Sequence, residues 1–415
     1  MDEPLVTARV DSGQPPAAEL AVVGSEAMLS KSLTELVRRD WDFYGAETNY
    51  STHGLHPYPA KFIPQIPRAL IEELSAPGDT VGDIFCGSGT TLVEAMLLGR
   101  NAVGVDANPL ACLISVAKTV RLGREDFAAI ESLQSRLQHW IASAGQQADL
   151  FPLSVWPEPP VPQDKAIRFW FEPHVARELG TIRASIGALP DRAKSLAQAC
   201  FSSIIVGVSR QDSDTRYVRR EKNIRPGEAV RRFLRGIRDA LLAAGEFQNV
   251  VQPGTTCAVH HADVLSRPDI GLVDLVVTSP PYPNAYSYHL YHMTRMLWLG
   301  MNPSTFKKRE IGSHRKYSSR SRKGASSETF LTELKAIFGW LRGHLRSGGY
   351  ACFVVGDSII RGQRVRNDEL IVEAARSQGF SCHANIERTL QATKKAFNPK
   401  IGKIKQERVL ILQLV

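Results

Sequence analysis

The sequence has few cysteines, and they lie far apart. Its 415 residues include six, and no two of them are closer than 26 positions. A zinc site of the CxxC type is therefore excluded, and we expect no bound metal. Scattered thiols in a chain of this length are typical of a reducing compartment. The six are Cys86, Cys112, Cys200, Cys257, Cys352 and Cys382.

Long hydrophobic runs are also missing. No stretch of about 18 consecutive apolar residues is present, so the sequence predicts no membrane-spanning helix. The first ten residues, MDEPLVTARV, lack the basic region and the apolar core of a secretory signal. We therefore expect a cytoplasmic protein.

Acidic residues are too few to balance the basic ones. Asp and Glu total 42 against 51 Lys and Arg, for a formal charge of +9. The surplus is concentrated in residues 210–239, 301–325 and 388–408, with net charges of +5, +7 and +6. Such concentration predicts contact with a polyanion, although a solvated surface is the alternative for any single run. We expect residues 301–325, rich in Ser, Arg and Lys, to be flexible before that partner binds. The candidate contact residues are Arg219, Arg220, Lys307, Lys308, Arg309, Arg315, Lys316, Arg320, Arg322 and Lys323.

Strand and helix patterns alternate along most of the chain, which is typical of an α/β, doubly wound, mostly parallel sheet. Residues 121–254 interrupt this alternation with a largely helical pattern. Strands are predicted over 80–85, 102–106, 256–260, 273–278 and 350–355 and at the C-terminus, and helices over 26–39, 65–74 and 91–98. The predicted organisation is a loose tail over 1–25, an α/β domain over 26–120 and 255–415, and a helical insertion over 121–254.

A glycine loop follows the first predicted sheet strand. Gly87 and Gly89 lie where this strand meets a helix. Glycine lets the backbone approach a ligand closely, and a helix N-terminus offers free amides. Asp106, at the end of the next strand, is placed to accept hydrogen bonds from ribose hydroxyls. Leu92 stands where a dinucleotide fingerprint has its third glycine, which disfavours a nicotinamide-dependent oxidoreductase. A tight turn without a ligand is the other alternative.

The strand over 273–278 leads directly into Ser-Pro-Pro-Tyr, residues 279–282. This is the edge of a parallel sheet at which α/β folds bind ligands. The prolines remove two amide donors and stiffen the chain, which leaves the Ser279 hydroxyl and the Pro280 carbonyl as rigid acceptors beside the Tyr282 ring. Such a set can accept the hydrogens of a planar amine and direct its lone pair outward. A stiffened loop with a packed tyrosine is the alternative.

The glycine loop and the TSPPY sequence, Thr278–Tyr282, together resemble the DNA amino-methyltransferases that use S-adenosylmethionine. His56–Pro64 (HPYPAKFIP) is similar to the additional cofactor segment of that family, called motif X, and Asp83–Gly89 to motif I. The resemblance covers residues 50–120 and 255–415. It implies a Rossmann-like methyltransferase fold with a seven-stranded, mostly parallel sheet. For such a protein the candidate DNA-recognition regions are the helical insertion and residues 301–325, alone or together.

The resemblance also implies roles for individual residues. Ser279, Pro280, Pro281 and Tyr282 are the implied catalytic residues, which orient the amine and stack on the base. Core packing is the alternative for Phe62 among the cofactor residues. Those implied to hold the cofactor are Lys61, Phe62, Asp83, Phe85, Gly87, Ser88, Gly89, Thr90, Asp106, Ala107 and Asp263.

Serine at the first position of the tetrapeptide resembles the cytosine-N4 members of the family, whereas adenine-N6 members usually have Asp or Asn there. No Pro-Cys pair is present to supply the thiolate that methylation at cytosine C5 needs. The resemblance therefore implies direct methyl transfer to the N4 amine of a cytosine flipped out of duplex DNA. Adenine-N6 methylation, RNA base methylation and a catalytically silent DNA-binding protein are the alternatives. A prokaryotic restriction–modification setting is also implied, with nucleoid DNA as partner and a restriction endonuclease that acts separately.

Overall fold

Strands and helices alternate through both parts of the predicted α/β domain. The structure is a computed structural model that describes residues 6–7, 20–22, 31–146, 159–214, 216–283, 287–312, 317, 325–390 and 406–415. Its strands are β1 (Val6–Thr7), β2 (Leu20–Val22), β3 (Thr80–Asp83), β4 (Asn101–Asp106), β5 (Gln211–Ser213), β6 (Arg216–Arg219), β7 (Cys257–His261), β8 (Val273–Thr278), β9 (Leu345–Gly356), β10 (Ser358–Ile360), β11 (Gln363–Val365), β12 (Phe380–Thr389) and β13 (Gln406–Leu414). Its helices are α1 (Lys31–Arg38), α2 (Gln65–Leu74), α3 (Thr90–Leu97), α4 (Pro109–Thr119), α5 (Arg124–Gln146), α6 (Lys165–Trp170), α7 (Pro173–Gly187), α8 (Asp191–Val208), α9 (Glu228–Val250), α10 (Tyr288–Tyr291), α11 (Met293–Trp298), α12 (Pro303–Arg309), α13 (Ser327–Leu341) and α14 (Asn367–Arg376).

Among the described residues, the main sheet has the strand order β1-β2-β12-β13-β9-β8-β3-β4-β7. From β9 to β7 each strand runs parallel to its neighbour, whereas β13 is antiparallel to both β9 and β12. The seven strands from β12 to β7 confirm the predicted Rossmann-like methyltransferase fold. The short strands β1 and β2 extend this sheet beyond β12, so the segment predicted as a loose tail contains two sheet strands.

The central strands are apolar along their whole length because both faces of the sheet are covered. Phe353 and Val355 of β9 pack into the core beneath α13 and α14. Cys352 and Val354 point the other way, into the core beneath α2 and α3. A strand covered on both faces has apolar side chains at successive positions rather than at alternate ones. This explains the continuous apolar runs of β8 and β9.

The order of the strands brings two loops to one edge of the sheet. β3 and β8 are parallel neighbours, with Val81 paired to Leu275 and Gly82 to Val276. The carboxyl ends of both strands therefore meet, although about 190 residues separate them in sequence. The connections to β4 and to β9 leave this strand pair in opposite directions. Such a reversal of strand order is where open α/β sheets bind ligands.

The helices α5 to α9 pack around a hydrophobic cluster of their own. Trp298, from α11 of the α/β domain, also belongs to this cluster and is completely buried. Its ring lies edge-on to Phe171 and Phe201, at centroid distances of 5.7 and 6.1 Å. The insertion is therefore attached to a helix that follows the Ser-Pro-Pro-Tyr loop. It is not entirely helical, because β5 and β6 form an antiparallel hairpin within it.

One local prediction is confirmed in part and one needs correction. Within the helix predicted over 26–39, the structure describes α1 over Lys31–Arg38, and residues 26–30 lie outside the described residues. The segment 301–325, predicted to be flexible, contains the helix α12. Asn302 caps this helix by accepting from the amides of Ser304 and Thr305, and Phe306 is buried. A capped helix start and one buried aromatic side chain order this part of the basic segment.

No helix in the described part of the chain is long and apolar enough to span a bilayer. The same residues include no group of three or more His, Cys, Asp and Glu side chains arranged to hold a metal ion.

We expect Trp298→Ala to lower the free energy of unfolding by about 3–5 kcal/mol, because the substitution leaves a large cavity between α11 and the insertion. The measurement is the midpoint of urea unfolding. Far-ultraviolet circular dichroism is the signal, because it does not rely on tryptophan fluorescence. Trp298→Phe keeps a ring in the cavity and should cost less. An unchanged midpoint for the alanine variant would show that Trp298 does not hold the insertion to α11.

Candidate active site

The glycine loop between β3 and α3 adopts a conformation that other residues disfavour. Gly87 and Gly89 have φ of +49° and +78°. A Cβ on Gly89 would lie only 2.9 Å from Ser115 Oγ and 3.1 Å from its Cα. The loop therefore passes against α4 where no side chain fits. It leads into the N-terminus of α3 at Thr90, which no side chain caps, so amides remain available there.

The carboxylate of Asp106 fixes this loop to the end of β4. Its Oδ2 accepts from the Gly87 amide at 2.9 Å, and its Oδ1 accepts from the Asn108 amide at 2.8 Å. Burial raises the pKa of Asp106 to about 6, although the two hydrogen bonds favour the ionised form and act to lower the pKa. Each carboxylate oxygen has a second lone pair, so acceptor capacity remains. The role predicted for Asp106 toward a ribose stays a prediction.

A hydrogen bond between two buried side chains joins the ends of β3 and β8. The hydroxyl of Thr278 donates to Asp83 Oδ1 at 2.6 Å, and the same oxygen accepts from the Phe85 amide at 3.1 Å. Burial raises the pKa of Asp83 from its usual 3.8 to about 6, although these donors favour the charged form. The structure thus gives Asp83 a positioning contact within the protein. The sequence predicts only a cofactor role for Asp83 and no role for Thr278.

The Ser-Pro-Pro-Tyr loop begins directly after this contact. Ser279 Oγ lies 3.5 Å from the Tyr282 hydroxyl, which is also 3.4 Å from both the Val354 carbonyl and Glu407 Oε1. The hydroxyl of Tyr282 is therefore directed toward β9 and β13, and burial raises its pKa. Gly312 lies against the same loop, since a Cβ there would be 2.8 Å from the Pro281 carbonyl oxygen. Stacking of the Tyr282 ring on a base stays a prediction.

Tyr58 connects the HPYPAKFIP segment to the glycine loop and to the helices that follow Ser-Pro-Pro-Tyr, a role that the sequence motifs do not predict. Its ring stacks on His292 and Tyr288 of the helices after Ser-Pro-Pro-Tyr, at centroid distances of 5.0 and 5.9 Å. Its hydroxyl accepts from Asn108 Nδ2 at 3.3 Å. A Cβ on Gly87 would lie 3.7 Å from the Tyr58 ring. The sequence signal for this role of Tyr58 is the group of aromatic residues that follows residue 282, because such rings need stacking partners elsewhere in the chain.

The two residues predicted from HPYPAKFIP make contacts within the protein. Lys61 Nζ donates to the His53 carbonyl at 3.1 Å, and burial lowers the pKa of Lys61. Phe62 is partly buried against the core beneath α2 and α3. This contact of Phe62 is the core packing that is the alternative to its predicted cofactor role. The cofactor roles of both residues stay predictions.

A cleft of about 230 Å³ opens at the ends of β4 and β7. Asp263, just beyond β7, accepts from the Leu265 amide at 3.0 Å and caps the short 3-10 helix Val264–Ser266. Ala107, a predicted cofactor residue, and Arg309, a predicted DNA contact, share this one cleft. Its lining residues are Ala107, Pro109, His261, Met301, Asn302, Thr305, Phe306 and Arg309.

Ser88 carries an orphaned polar atom in the glycine loop. Its side chain is buried, and its Oγ has no hydrogen-bond partner among the described residues. A buried hydroxyl without a partner costs free energy unless a ligand or a water satisfies it. Together with the close approach at Gly89 and the free amides of α3, this hydroxyl fits a small polar ligand group bound at the loop.

The predicted basic contacts fall into three groups. Lys307, Lys308 and Arg309 form the exposed last turn of α12. Arg219 and Arg220 are exposed at the end of β6. The predicted contacts Arg315, Lys316, Arg320, Arg322 and Lys323 lie outside the described residues.

Residues 25–117 match the family model described as DNA methylase, which covers N6 and N4 methyltransferases. This segment contains HPYPAKFIP, the glycine loop and Asp106. The type II methyltransferase M.MjaII of Methanocaldococcus jannaschii is 42% identical over 84 residues, or 19% of this chain. M.MvaI of Kocuria varians is 26% identical over 278 residues, or 62% of this chain. These matches show that this part of the chain is similar to the N6/N4 DNA methylase family, and they support S-adenosylmethionine as the cofactor.

The matched stretches span 16% of M.MjaII and 60% of M.MvaI, less than two thirds of either relative. Among solved structures, TrmN from Thermus thermophilus aligns with 85% of this chain and 49% of its own, at 11% identity and a TM-score of 0.32. Structural similarity this low does not support any inference about the site.

Asp83→Asn should change how stability depends on pH. The folded pKa of Asp83, about 6, lies above its usual 3.8. The stability that Asp83 contributes is therefore complete below about pH 4 and is lost as the pH rises through 6. The variant has no carboxyl at this position, so its free energy of unfolding does not fall in this way. Relative to wild type, its free energy of unfolding should therefore increase by about 3 kcal/mol between pH 4 and pH 7.

The measurement is urea unfolding of both proteins at the two pH values. Glu131→Gln, which removes an exposed carboxylate of α5, is the matched control and should show no such gain. A difference between Asp83→Asn and wild type that does not change with pH would contradict the raised pKa.

Proposed function

We propose that this chain transfers a methyl group from S-adenosylmethionine to the exocyclic N4 amine of cytosine in duplex DNA. The observation that carries the proposal is the 2.6 Å hydrogen bond between Thr278 and Asp83. Because this bond joins the ends of β3 and β8, the glycine loop and the Ser-Pro-Pro-Tyr loop open into the same edge of the sheet. A methyl donor at the first loop and an amine at the second would then be neighbours.

The glycine loop supplies the donor side of this arrangement. The residues proposed to hold the cofactor are those of the glycine loop, Gly87, Ser88, Gly89 and Thr90, with Asp106 toward the ribose. The loop offers the buried Ser88 hydroxyl, the uncapped start of α3 and a close backbone approach at Gly89. When bound, S-adenosylmethionine supplies a sulfonium methyl group that an amine can attack directly. The chain needs no covalent intermediate for this reaction, so its contribution is to position the two reactants and exclude water.

The Ser-Pro-Pro-Tyr loop supplies the acceptor side. The Ser279 hydroxyl and the Pro280 carbonyl accept the hydrogens of the amine, which directs its lone pair away from the loop. Proline at 280 and 281 limits the movement of these acceptors. The packing of Gly312 against the Pro281 carbonyl and the hydroxyl contacts of Tyr282 restrain the loop from two further sides. A base in duplex DNA reaches such a loop only after it has been flipped out of the helix.

The choice of base and of nucleic acid rests on two further observations. Serine at position 279 resembles the cytosine-N4 members of the family, so we favour cytosine N4 over adenine N6. M.MjaII and M.MvaI are named as type II methyltransferases, which supports a restriction–modification setting. A cognate endonuclease that acts separately and prokaryotic nucleoid DNA as the substrate belong to this proposal.

The experiment is methyl transfer from labelled S-adenosylmethionine to duplex DNA, followed by digestion to nucleosides and mass spectrometry. We expect labelled N4-methylcytosine. Ser279→Ala removes one of the two amine acceptors and should lower kcat by about 100-fold, the usual cost of one positioned polar group, while DNA binding persists. Ser347→Ala changes an exposed serine at the opposite end of β9 and should leave kcat unchanged.

Other products would contradict parts of the proposal. Labelled N6-methyladenine would show that the base assignment from Ser279 is wrong, while the chemistry at an exocyclic amine would stand. Label in RNA and none in DNA would overturn DNA as the substrate. No transfer to either nucleic acid would overturn the proposed reaction.

The basic end of α12 should contribute to DNA affinity through phosphate contacts. Lys307 and Lys308 are exposed, and neither has an ion-pair partner within the described part of the chain. Replacing both with alanine should weaken binding to all duplex sequences alike. Binding measured against salt concentration should also show a log–log slope smaller by about 2, because each phosphate contact contributes about 0.9.

The control for this charge change is Arg342→Ala with Arg376→Ala. Both arginines are exposed, and Arg342 lies three residues before β9 begins, at the edge of the sheet opposite the site. An unchanged salt slope in the lysine variant would show that α12 does not contact phosphates.

A further inference from the structure

The hairpin formed by β5 and β6 is the one part of the described insertion that is built from strands, and most side chains of its second strand are exposed. Val218 is 54% exposed, although it is β-branched and apolar. The side chains of Arg216 and Arg220 are 59% and 74% exposed. Arg216 and Val218 occupy alternate positions of β6 and Arg220 follows at the same spacing, so these three exposed side chains project from one face of the hairpin.

The exposed arginines are held in place by contacts within the hairpin. Asp212 lies 3.5 Å from the guanidinium groups of both Arg216 and Arg220. The guanidinium of Arg219 lies 4.7 Å above the ring of Phe169, itself partly exposed at the end of α6. Guanidinium groups that are positioned beforehand lose less conformational freedom when they bind. The hairpin therefore presents directed donors.

These ion pairs distinguish the hairpin from the end of α12. A carboxylate beside each guanidinium reduces the long-range attraction for phosphate, which is the main contribution of an unpaired lysine such as Lys307. It leaves the outer N–H groups of the arginines free to donate. The hairpin is thus suited to short-range contacts with base edges, and α12 to contacts with the DNA backbone.

A buried arginine fixes the hairpin to the helix after the Ser-Pro-Pro-Tyr loop. Arg295 of α11 has no exposed surface; its Nε donates to the Ser202 carbonyl at 2.9 Å, and its Nη2 donates to the carboxylate of Asp214. Gln211 donates to the Tyr291 carbonyl at 3.4 Å. A charge buried at such a site is costly to leave unpaired. The position of the hairpin relative to α10 and α11 is therefore strongly determined.

We propose that the hairpin β5–β6 enters the major groove of duplex DNA beside the flipped base and determines which sequence is methylated. The inference rests on the function proposed above and adds the element that recognises the site. The major groove is wide enough for a two-stranded β-ribbon. Arginine donates two hydrogen bonds to guanine O6 and N7, and an apolar side chain contacts the thymine methyl group. We therefore expect Arg216 and Arg220 to select guanine, and Val218 to contact a thymine methyl.

The test compares methylation across a pool of duplexes with randomised sequence, using the full-length protein. Arg216→Ala with Arg220→Ala should lose between about tenfold and hundredfold of discrimination, confined to one or two base positions of the preferred site. Its salt slope should change less than that of the Lys307 and Lys308 variant. The control Arg342→Ala with Arg376→Ala makes the same change in charge and should keep the wild-type site preference.

Val218→Ala is the second variant, because it keeps every charge and alters an exposed side chain that the fold does not need. We expect it to weaken discrimination of thymine from cytosine at one position. Wild-type affinity for S-adenosylmethionine in each variant shows that the catalytic domain is intact.

Unchanged base preferences in both variants would overturn the proposal. So would an equal loss of activity at every sequence, because that result is typical of phosphate contacts. These outcomes differ from failure of the proposed function, in which the wild-type protein itself transfers no methyl group to DNA.

Discussion

The candidate site depends on a hydrogen bond between two buried side chains, Thr278 and Asp83, 2.6 Å apart and far apart in sequence. Each lies at the end of a parallel strand, and each is followed directly by a loop with restricted conformations. Burial of the Asp83 carboxyl opposes its ionisation, so the donors around it are needed to keep it in place. The chain thus accepts an unfavourable burial of a polar group in order to fix the relation of the two loops.

The sheet was predictable because its strands are buried on both faces and bounded by glycine and proline. The run over 273–278 could be recognised as a strand without any structure, and its predicted bounds agree with β8. The hairpin β5–β6 was not predictable in this way. Its segment, QDSDTRYVR, is polar and lies between two helices, and it is held by side chains such as Arg295 that come from elsewhere in the chain. Tertiary contacts of this kind leave no local pattern.

The site was predicted as a set of residues but not as a set of contacts. Gly89 could be recognised because positive φ and close packing leave few alternatives to glycine. Asp83 was assigned to the cofactor, whereas its described contacts are with the protein. The stacking of Tyr58 with Tyr288 and His292 depends on two segments, more than 200 residues apart in sequence, that come together only in the fold. Patterns of glycine and proline record backbone constraints, while side-chain partners depend on the tertiary structure.

The basic charge of the chain is divided between two kinds of surface. In α12 the lysines lie on an exposed helix turn, and the acidic residue that follows, Glu310, turns inward to bond the Tyr288 amide and His289. In the hairpin, Asp212 stays beside its arginines. In α12 the carboxylate of Glu310 is turned away from the lysines, which favours long-range attraction of phosphate. In the hairpin the carboxylate of Asp212 stays beside the arginines, which weakens this attraction but orients the guanidinium groups. Since Glu310 bonds two residues of α10 and Arg295 belongs to α11, both surfaces are anchored to the helices that follow Ser279. Their positions relative to the proposed catalytic loop therefore depend on the same short stretch of chain.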